Sequence, residues 1–414
     1  MTVTPGRVVG IAVGSLAILG IGVYGPAMLL GPLPAVAVTT TAMTTAPPQA
    51  AVIPMPAEGA SALALDDDGG ATPIATGGEQ GVVPIGGAAK LVTLLVTVDS
   101  LPLAAGSPGP DIPIGPEDYT DYARYQAEGT RVLQVSPGET WSQRDVLRAV
   151  LLASSNNHAD TLARWAFGSV EQYVDAANEW LAANGFADTQ IADATGLSAD
   201  NVGTATDLAA LAAKAVHDPA LAGMLDGEAA AGVGVRQVPD TVSRLSEVGV
   251  RAIARGFTDD ALISFVFTST VNAPGGTEPV RIVGAMTLIP DYETLDAAVT
   301  AAVGAAGQAA TPVEVITAGS TYAAAESVWG QRADLVASAT RTSLGWGAAT
   351  GAPTVEVAPF STASAGRDVG RVVVPTASGE LAAPLSPSGD LTDPGPLWRL
   401  TNPLPILGAY FSGS

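Results

Sequence analysis

Few residues in this chain can carry nucleophile, base or metal-ligand chemistry. It contains two histidines and no cysteine, which excludes disulfides, thiolate zinc sites, iron–sulfur clusters and cysteine nucleophiles together. His217 falls in the last turn of a helical stretch beside Asp218, where a cation suits the helix dipole, so its role reads as structural. His158 follows Ser154-Ser155-Asn156-Asn157, a polar cluster in the break between two apolar helical stretches, where side chains can point into a cleft. There is no Gly-x-Ser-x-Gly elbow and no His-Glu-x-x-His helix. The chain has two lysines, Lys90 and Lys214, and three residues before them stand Gly87 and Leu211, so no Ser-x-x-Lys pair exists. Neither lysine is followed by Thr-Gly or Ser-Gly. Asp66-Asp67-Asp68 lacks the spaced loop and terminal Glu of a calcium site and reads as a solvated turn. No metal or cofactor is expected.

These residues need elements to position them. Lys90 to Leu101 is apolar all round, as a central buried helix should be. Thr140-Trp141-Ser142-Gln143 reads as a capping box ahead of Val146, Leu147, Val150 and Leu151, and Ser169 to Gln172 repeats the pattern ahead of a helix stopped by Asn184-Gly185. Thr206 starts a fourth helix running towards His217. Ala60 to Leu65 and Ala71 to Ala75 read as a hairpin, and Val248 to Ile253, Ala261 to Thr268 and Val280 to Leu288 as later strands. Helices between a first hairpin and later strands predict an α+β domain over residues 58–305. Beyond it, β-branched runs at Val313 to Thr317, Thr354 to Val357 and Val369 to Val374 predict a small all-β domain over 311–400. The tail, 401–414, is too short to span a bilayer and is expected to pack against that domain. At the other end, Val8 to Leu30 is 23 uncharged residues preceded by Arg7. Residues 1–30 therefore read as a membrane anchor with the bulk of the chain outside the cytoplasm, or as a signal segment cleaved near Ala35-Val36-Ala37. Residues 31–57 read as a Pro/Thr/Ala tether.

Order and spacing carry a resemblance. Leu151 to Asp160 (LLASSNNHAD), then Gly168-Ser169-Val170, Ala177-Asn178, Asn184-Gly185-Phe186, Ala194-Thr195-Gly196-Leu197 and Thr204-Ala205-Thr206-Asp207-Leu208, resemble the serine D-alanyl-D-alanine carboxypeptidases, the low-molecular-mass penicillin-binding proteins. Asp393 to Leu400 is similar to the closing strand of the β domain in many members. The resemblance implies a penicillin-binding-protein/β-lactamase-like domain followed by a small β domain. It also implies three motifs: Ser-x-x-Lys opening the buried helix, Ser-x-Asn in a turn, and Lys-Thr-Gly on a strand. In that chemistry the serine attacks a carbonyl, a lysine of depressed pKa takes its proton, and strand and helix-end amides hold the oxyanion. Ser155-Asn156-Asn157 satisfies the second motif, with Ser155 relaying protons and Asn157 binding the substrate peptide.

The other two motifs are broken. The buried helix opens Pro84-Ile85-Gly86-Gly87-Ala88-Ala89-Lys90, with Gly87 where the nucleophile belongs, and the strand reads Ala254-Arg255-Gly256 in place of Lys-Thr-Gly. Losing such a nucleophile costs serine hydrolases about a million-fold in turnover. The expected function is a tethered, catalytically inactive carboxypeptidase-like module that binds a peptidoglycan stem peptide or another envelope ligand. Lys90, Ser155, Asn157, Arg255 and Gly256 would line its cleft, with Arg255 holding a carboxylate. The alternative is a working hydrolase with Ser155 or Ser154 as an unconventional nucleophile and Lys90 as base. With 18 Lys plus Arg against 40 Asp plus Glu, a net charge of −22, the surface repels phosphate backbones, and no nucleic-acid partner is expected. The anchor predicts that intact protein fractionates with membranes; a mature N-terminus just after Ala37 would refute it.

Overall fold

The computed structural model describes residues 5–40, 48–67, 69–227, 236–272, 279–376 and 379–412. Asp68, inside the acidic turn, lies outside them. The chain divides into two compact units, Ala51–Thr311 and a second that joins Met1–Ala50 to Pro312–Ser414.

In the first unit an antiparallel sheet of five strands runs in the order Gly70–Gly78, Ala60–Asp67, Val280–Ile289, Leu262–Val271, Val250–Thr258. The last is an edge strand, with Arg255 opposite Phe265 and Gly256 opposite Ser264. Helices Ala205–His217 and Tyr292–Ala309 pack on this sheet. The helix Ala89–Ser100 is buried from Ala89 through Val98, which is why its apolar residues show no polar face. Around it stand the helices Gln143–Ala153, Asn156–Phe167, Val170–Ala183 and Ala205–His217. The fold is therefore α+β, as the sequence pattern predicts.

Two helix starts move. Thr140–Ser142 pairs as a short strand with Asp111–Pro113, so the cap passes to Ser142, whose Oγ accepts from Asp145 N at 3.1 Å. The fourth helix is capped by Thr204 through Asp207 N at 3.0 Å, two residues before Thr206. Ser169 caps its helix as expected, accepting from Gln172 N at 3.1 Å. His217 pairs with Asp66, Nε2 to Oδ1 2.8 Å, which fixes it as a tie between helix and hairpin.

The second unit holds a six-stranded sheet in the order Ala37–Thr40, Thr321–Glu326, Arg332–Ala337, Gly379–Pro387, Gly370–Thr376, Thr354–Val357. This corrects the expectation of a free tether over 31–57. Val38-Thr39-Thr40 has the β-branched composition of a strand, and Ala37–Thr40 pairs antiparallel with Thr321–Glu326 while Val36 N donates to Phe360 O at 2.8 Å. Of the rest of that stretch, residues 41–47 lie outside the described residues. The expected closing strand at Asp393 to Leu400 is instead a helix, Gly395–Thr401, because Pro396 sits in its first turn and Asp393 Oδ1 accepts from Gly395 N at 2.8 Å. The tail lies in the same compact unit as this sheet. Pro403–Ser412 is a helix whose Ile406 and Tyr410 close over Gly31, at the end of the N-terminal helical run Pro5–Leu30.

Leu91 is fully buried in the central helix. Leu91→Ala should destabilise the protein by about 2–5 kcal/mol in chemical denaturation; a loss under about 1 kcal/mol would mean the helix is not the core of this unit.

Candidate active-site cleft

A cavity of about 560 Å³ opens between the start of the central helix, the turn before Asn156–Phe167, and the end of the edge strand Val250–Thr258. Its floor is backbone. Gly86, at φ +50, turns the chain into the helix, and a Cβ placed on Gly87 would stand 2.9 Å from Gly256 Cα. A Cβ on Gly256 would in turn stand 2.8 Å from Gly87 Cα, and one on Gly196 would stand 2.0 Å from Gly86 O. Real side chains do not tolerate such approaches to backbone, so the helix start, the edge strand and the Thr195-Gly196 loop close on one another only because all of these positions are glycine. A Cβ at position 87 would therefore crowd the strand backbone, although Gly87 itself borders the open cavity.

Lys90, the second residue of the helix, donates from Nζ to the carbonyl of Thr195. That carbonyl is held in place by Asp193, which accepts from the amides of Thr195 (2.7 Å) and Ser198 (2.7 Å). Burial pushes the Lys90 ammonium down to about 8; Asp193 opposes that shift, Arg131 adds to it and Asp160 opposes it. The lysine is thus a buried amine of lowered pKa, and the residue three positions before it, Gly87, has no hydroxyl.

The polar turn is placed one residue away from the expected frame. The helix Gln143–Ala153 ends at Ser154, which takes a left-handed conformation at φ 52. That twist sends Ser154 and Asn156 to the cavity wall. Ser155 and Asn157 turn inward and are fully buried. Ser155 Oγ is bound by Asn157 Oδ1 (2.8 Å) and His158 Nδ1 (2.8 Å) and accepts from Leu133 N (3.1 Å). Asn157 Nδ2 donates to Leu133 O at 3.0 Å. These two residues pin the loop ahead of the turn rather than face a ligand. His158 packs on Trp141 with ring centroids 4.4 Å apart, and burial pushes its pKa down to about 3, so it stays neutral.

Arg255 also differs from expectation. Its side chain points away from the cavity, hydrogen-bonding the carbonyl of Thr241 and lying over the Tyr292 ring at 5.5 Å. Ala254 is buried in the core, and Gly256 alone of the strand trio lines the cavity. The guanidinium that does line it is Arg131. Its Nη1 is buried with no hydrogen-bond partner, and its pKa is held down by burial and by Arg255, with Tyr292 opposing. Arg131 sits in a loop without periodicity, so no pattern in the sequence singles it out. Ser154 and Asn156 were within reach, had the left-handed residue ending the helix been placed. Glu128, Asp259 and Asp260 make an acidic rim. Among the described residues, no group of three or more His, Asp or Glu is placed to hold a metal ion.

Comparison with known proteins bears on this cleft directly. The family model for D-alanyl-D-alanine carboxypeptidase matches residues 46–274. A D-alanyl-D-alanine endopeptidase of Pseudomonas aeruginosa is 34% identical over 173 residues, which are 41% of this chain and 52% of that protein. The chain thus spans about half the length of this curated relative. Among solved structures, an evolved penicillin-binding protein homologue of Mycobacterium tuberculosis is 25% identical, covering 62% of this chain and 94% of that one, with a TM-score of 0.50. Penicillin binding protein 5 of Haemophilus influenzae shares the fold over 83% of this chain and 99% of its own, at 16% identity and a TM-score of 0.54.

Two outcomes follow from the geometry. Gly87→Ser should lower stability by about 1–3 kcal/mol, because its Cβ meets strand backbone; unchanged stability would mean the strand yields freely. The Lys90 pKa lies below its unfolded value, so the folded protein sheds this proton first as pH rises. The burial penalty is therefore present below pH 8 and is relieved as pH climbs towards the ordinary lysine value of 10.5. Lys90→Met should remove that rise in stability, read from denaturation midpoints across this window; an identical profile in the variant would refute it.

Proposed function

Because the chain belongs to the D-alanyl-D-alanine carboxypeptidase family, we propose that it binds a D-Ala-D-Ala-ended peptidoglycan peptide in this cleft without forming an acyl-enzyme. The observation that carries the reading is the contact of Gly87 with Gly256. With glycine at both positions the strand backbone closes on the helix start, so a side chain at 87 would have to push it away. Glycine supplies no oxygen to attack with, and no side chain at 87 is available to be restored without moving the strand.

What remains suits binding. Arg131 offers an unpartnered, partly desolvated guanidinium to a carboxylate, taking the part the sequence assigned to Arg255. Lys90 adds a second positive charge deeper in, and Asn156 offers an amide to a peptide backbone. The uncharged segment Val8–Leu30 is long and apolar enough to cross a membrane. We read it as a retained anchor that holds the cleft outside the cytoplasm, where such peptides are found.

Ser154 supports a second reading, that of an unconventional hydrolase. It lines the same cavity as Lys90, and its Oγ makes no hydrogen bond to the protein. Ser155 does not support that reading, since its hydroxyl is enclosed by Asn157, His158 and Leu133.

Calorimetry with a D-Ala-D-Ala-ended peptide, paired with an assay for released D-alanine, tests the proposal. Binding without release is expected, and Arg131→Ala should weaken it by about tenfold or more. Release that disappears in Ser154→Ala would establish the hydrolase instead, and no binding at all would defeat both.

A further inference from the structure

In a chain of net charge −22, an arginine without a partner calls for an explanation. From Arg124 onward, the arginines among the described residues whose side chains make no ion pair, hydrogen bond or ring contact are Arg131 and Arg367. Arg131 belongs to the cleft. Arg367 lines a second cavity of about 550 Å³ in the other unit, and the opposite wall of that cavity is Gly31-Pro32-Leu33, the residues at which the apolar N-terminal helix ends.

We propose that this cavity binds the phosphate of an anionic membrane lipid headgroup, with Arg367 as its cation. The proposal rests on reading Val8–Leu30 as a retained membrane anchor. A helix of 23 residues rises about 35 Å, enough to cross the hydrocarbon layer, so a cavity that begins at residue 31 stands at headgroup depth.

The one acidic side chain in the lining of this cavity, Asp393, is paired. Arg399, only 9% exposed, grips Asp393 through Nε (3.1 Å) and Nη2 (2.5 Å) and cancels its charge. Its Nη1 donates to the carbonyls of Met28 (3.3 Å) and Gly31 (2.8 Å), satisfying the end of the helix that enters the bilayer. Asp390, the acidic group across from the same loop, accepts from Ala365 N at 2.7 Å. Asp368, next in the chain after Arg367, is the remaining acidic neighbour. Thr362 and Ser364 add hydroxyls to the cavity wall, and neither makes a side-chain bond within the protein. A planar guanidinium with hydroxyl donors beside it matches a phosphate diester better than a carboxylate buried in protein would.

The surroundings favour a lipid as the source of that phosphate. Leu30, Leu397, Leu404 and Phe411 are 79–89% exposed, and they cluster where the helices Gly395–Thr401 and Pro403–Ser412 fold back on the end of the anchor. Tyr24 donates from its hydroxyl to Leu400 O at 2.6 Å, tying the tail to the anchor. Acyl chains would cover the apolar side chains while the headgroup turned into the cavity.

The full-length protein in nanodiscs of phosphatidylcholine with a minor share of phosphatidylglycerol provides the test, with retained lipid identified by native mass spectrometry. Phosphatidylglycerol should be enriched on the wild type by about fivefold. Arg367→Ala should abolish the enrichment with no change in unfolding midpoint, since the side chain is exposed, and Arg367→Lys should keep part of it. Equal retention of the two lipids, or enrichment unaffected by Arg367→Ala, would overturn the proposal, as would displacement of the lipid by inorganic phosphate. Protein that fails to stay in the nanodisc would defeat the anchor reading instead, a separable result.

Discussion

Gly87 and Gly256 lie backbone to backbone, each excluding a Cβ from the other. That approach brings the edge strand of the sheet against the first turn of the central helix, and the rest of the cleft is arranged around it. The Thr195-Gly196 loop can seat its carbonyl on Lys90 because Gly196 packs on Gly86 O. The strand then carries Arg255 outward to Thr241 and Tyr292 and leaves Gly256 as its only contribution to the cavity. A single side chain at either glycine would separate these elements. The glycine at position 87 is therefore tied to the backbone packing around it as well as to the absence of a side-chain oxygen.

Charge is distributed unevenly around this floor. Lys90 and Arg131 share a cavity in a strongly acidic protein, each pushed towards neutrality by burial. Lys90 bonds the carbonyl of Thr195, whereas Nη1 of Arg131 is buried without a hydrogen-bond partner. Asp193 partly offsets the effect of burial on Lys90 while its oxygens hold the amides of Thr195, Gly196 and Ser198. Glu128, Asp259 and Asp260 also line the cavity and add negative charge to it.

Much of the fold was legible in the residues. The apolar run from Lys90 announces a helix buried on all sides, and the β-branched runs after residue 250 announce strands, because burial and period leave direct marks on composition. The broken motifs at Gly87 and at Ala254-Arg255-Gly256 needed only counting, since two lysines leave few places to look. What the sequence hid depends on tertiary geometry. The left-handed Ser154 moves the polar turn by one residue, and nothing local distinguishes that frame from the one starting at Ser155. Arg131 becomes a site residue only when a loop folds beside Lys90. Val38-Thr39-Thr40 reads as spacer until a strand far along the chain pairs with it, and the helix at Gly395–Thr401 depends on a cap and a proline within a segment that resembles a strand.

The account stands on whether a covalent adduct can form. Intact-mass spectrometry of the full chain after prolonged exposure to a β-lactam measures this without assuming which residue reacts. The closed glycine floor predicts an unchanged mass. A stoichiometric mass increase that maps to Ser154 would contradict it, and would show that the cleft still performs acyl transfer from its other wall.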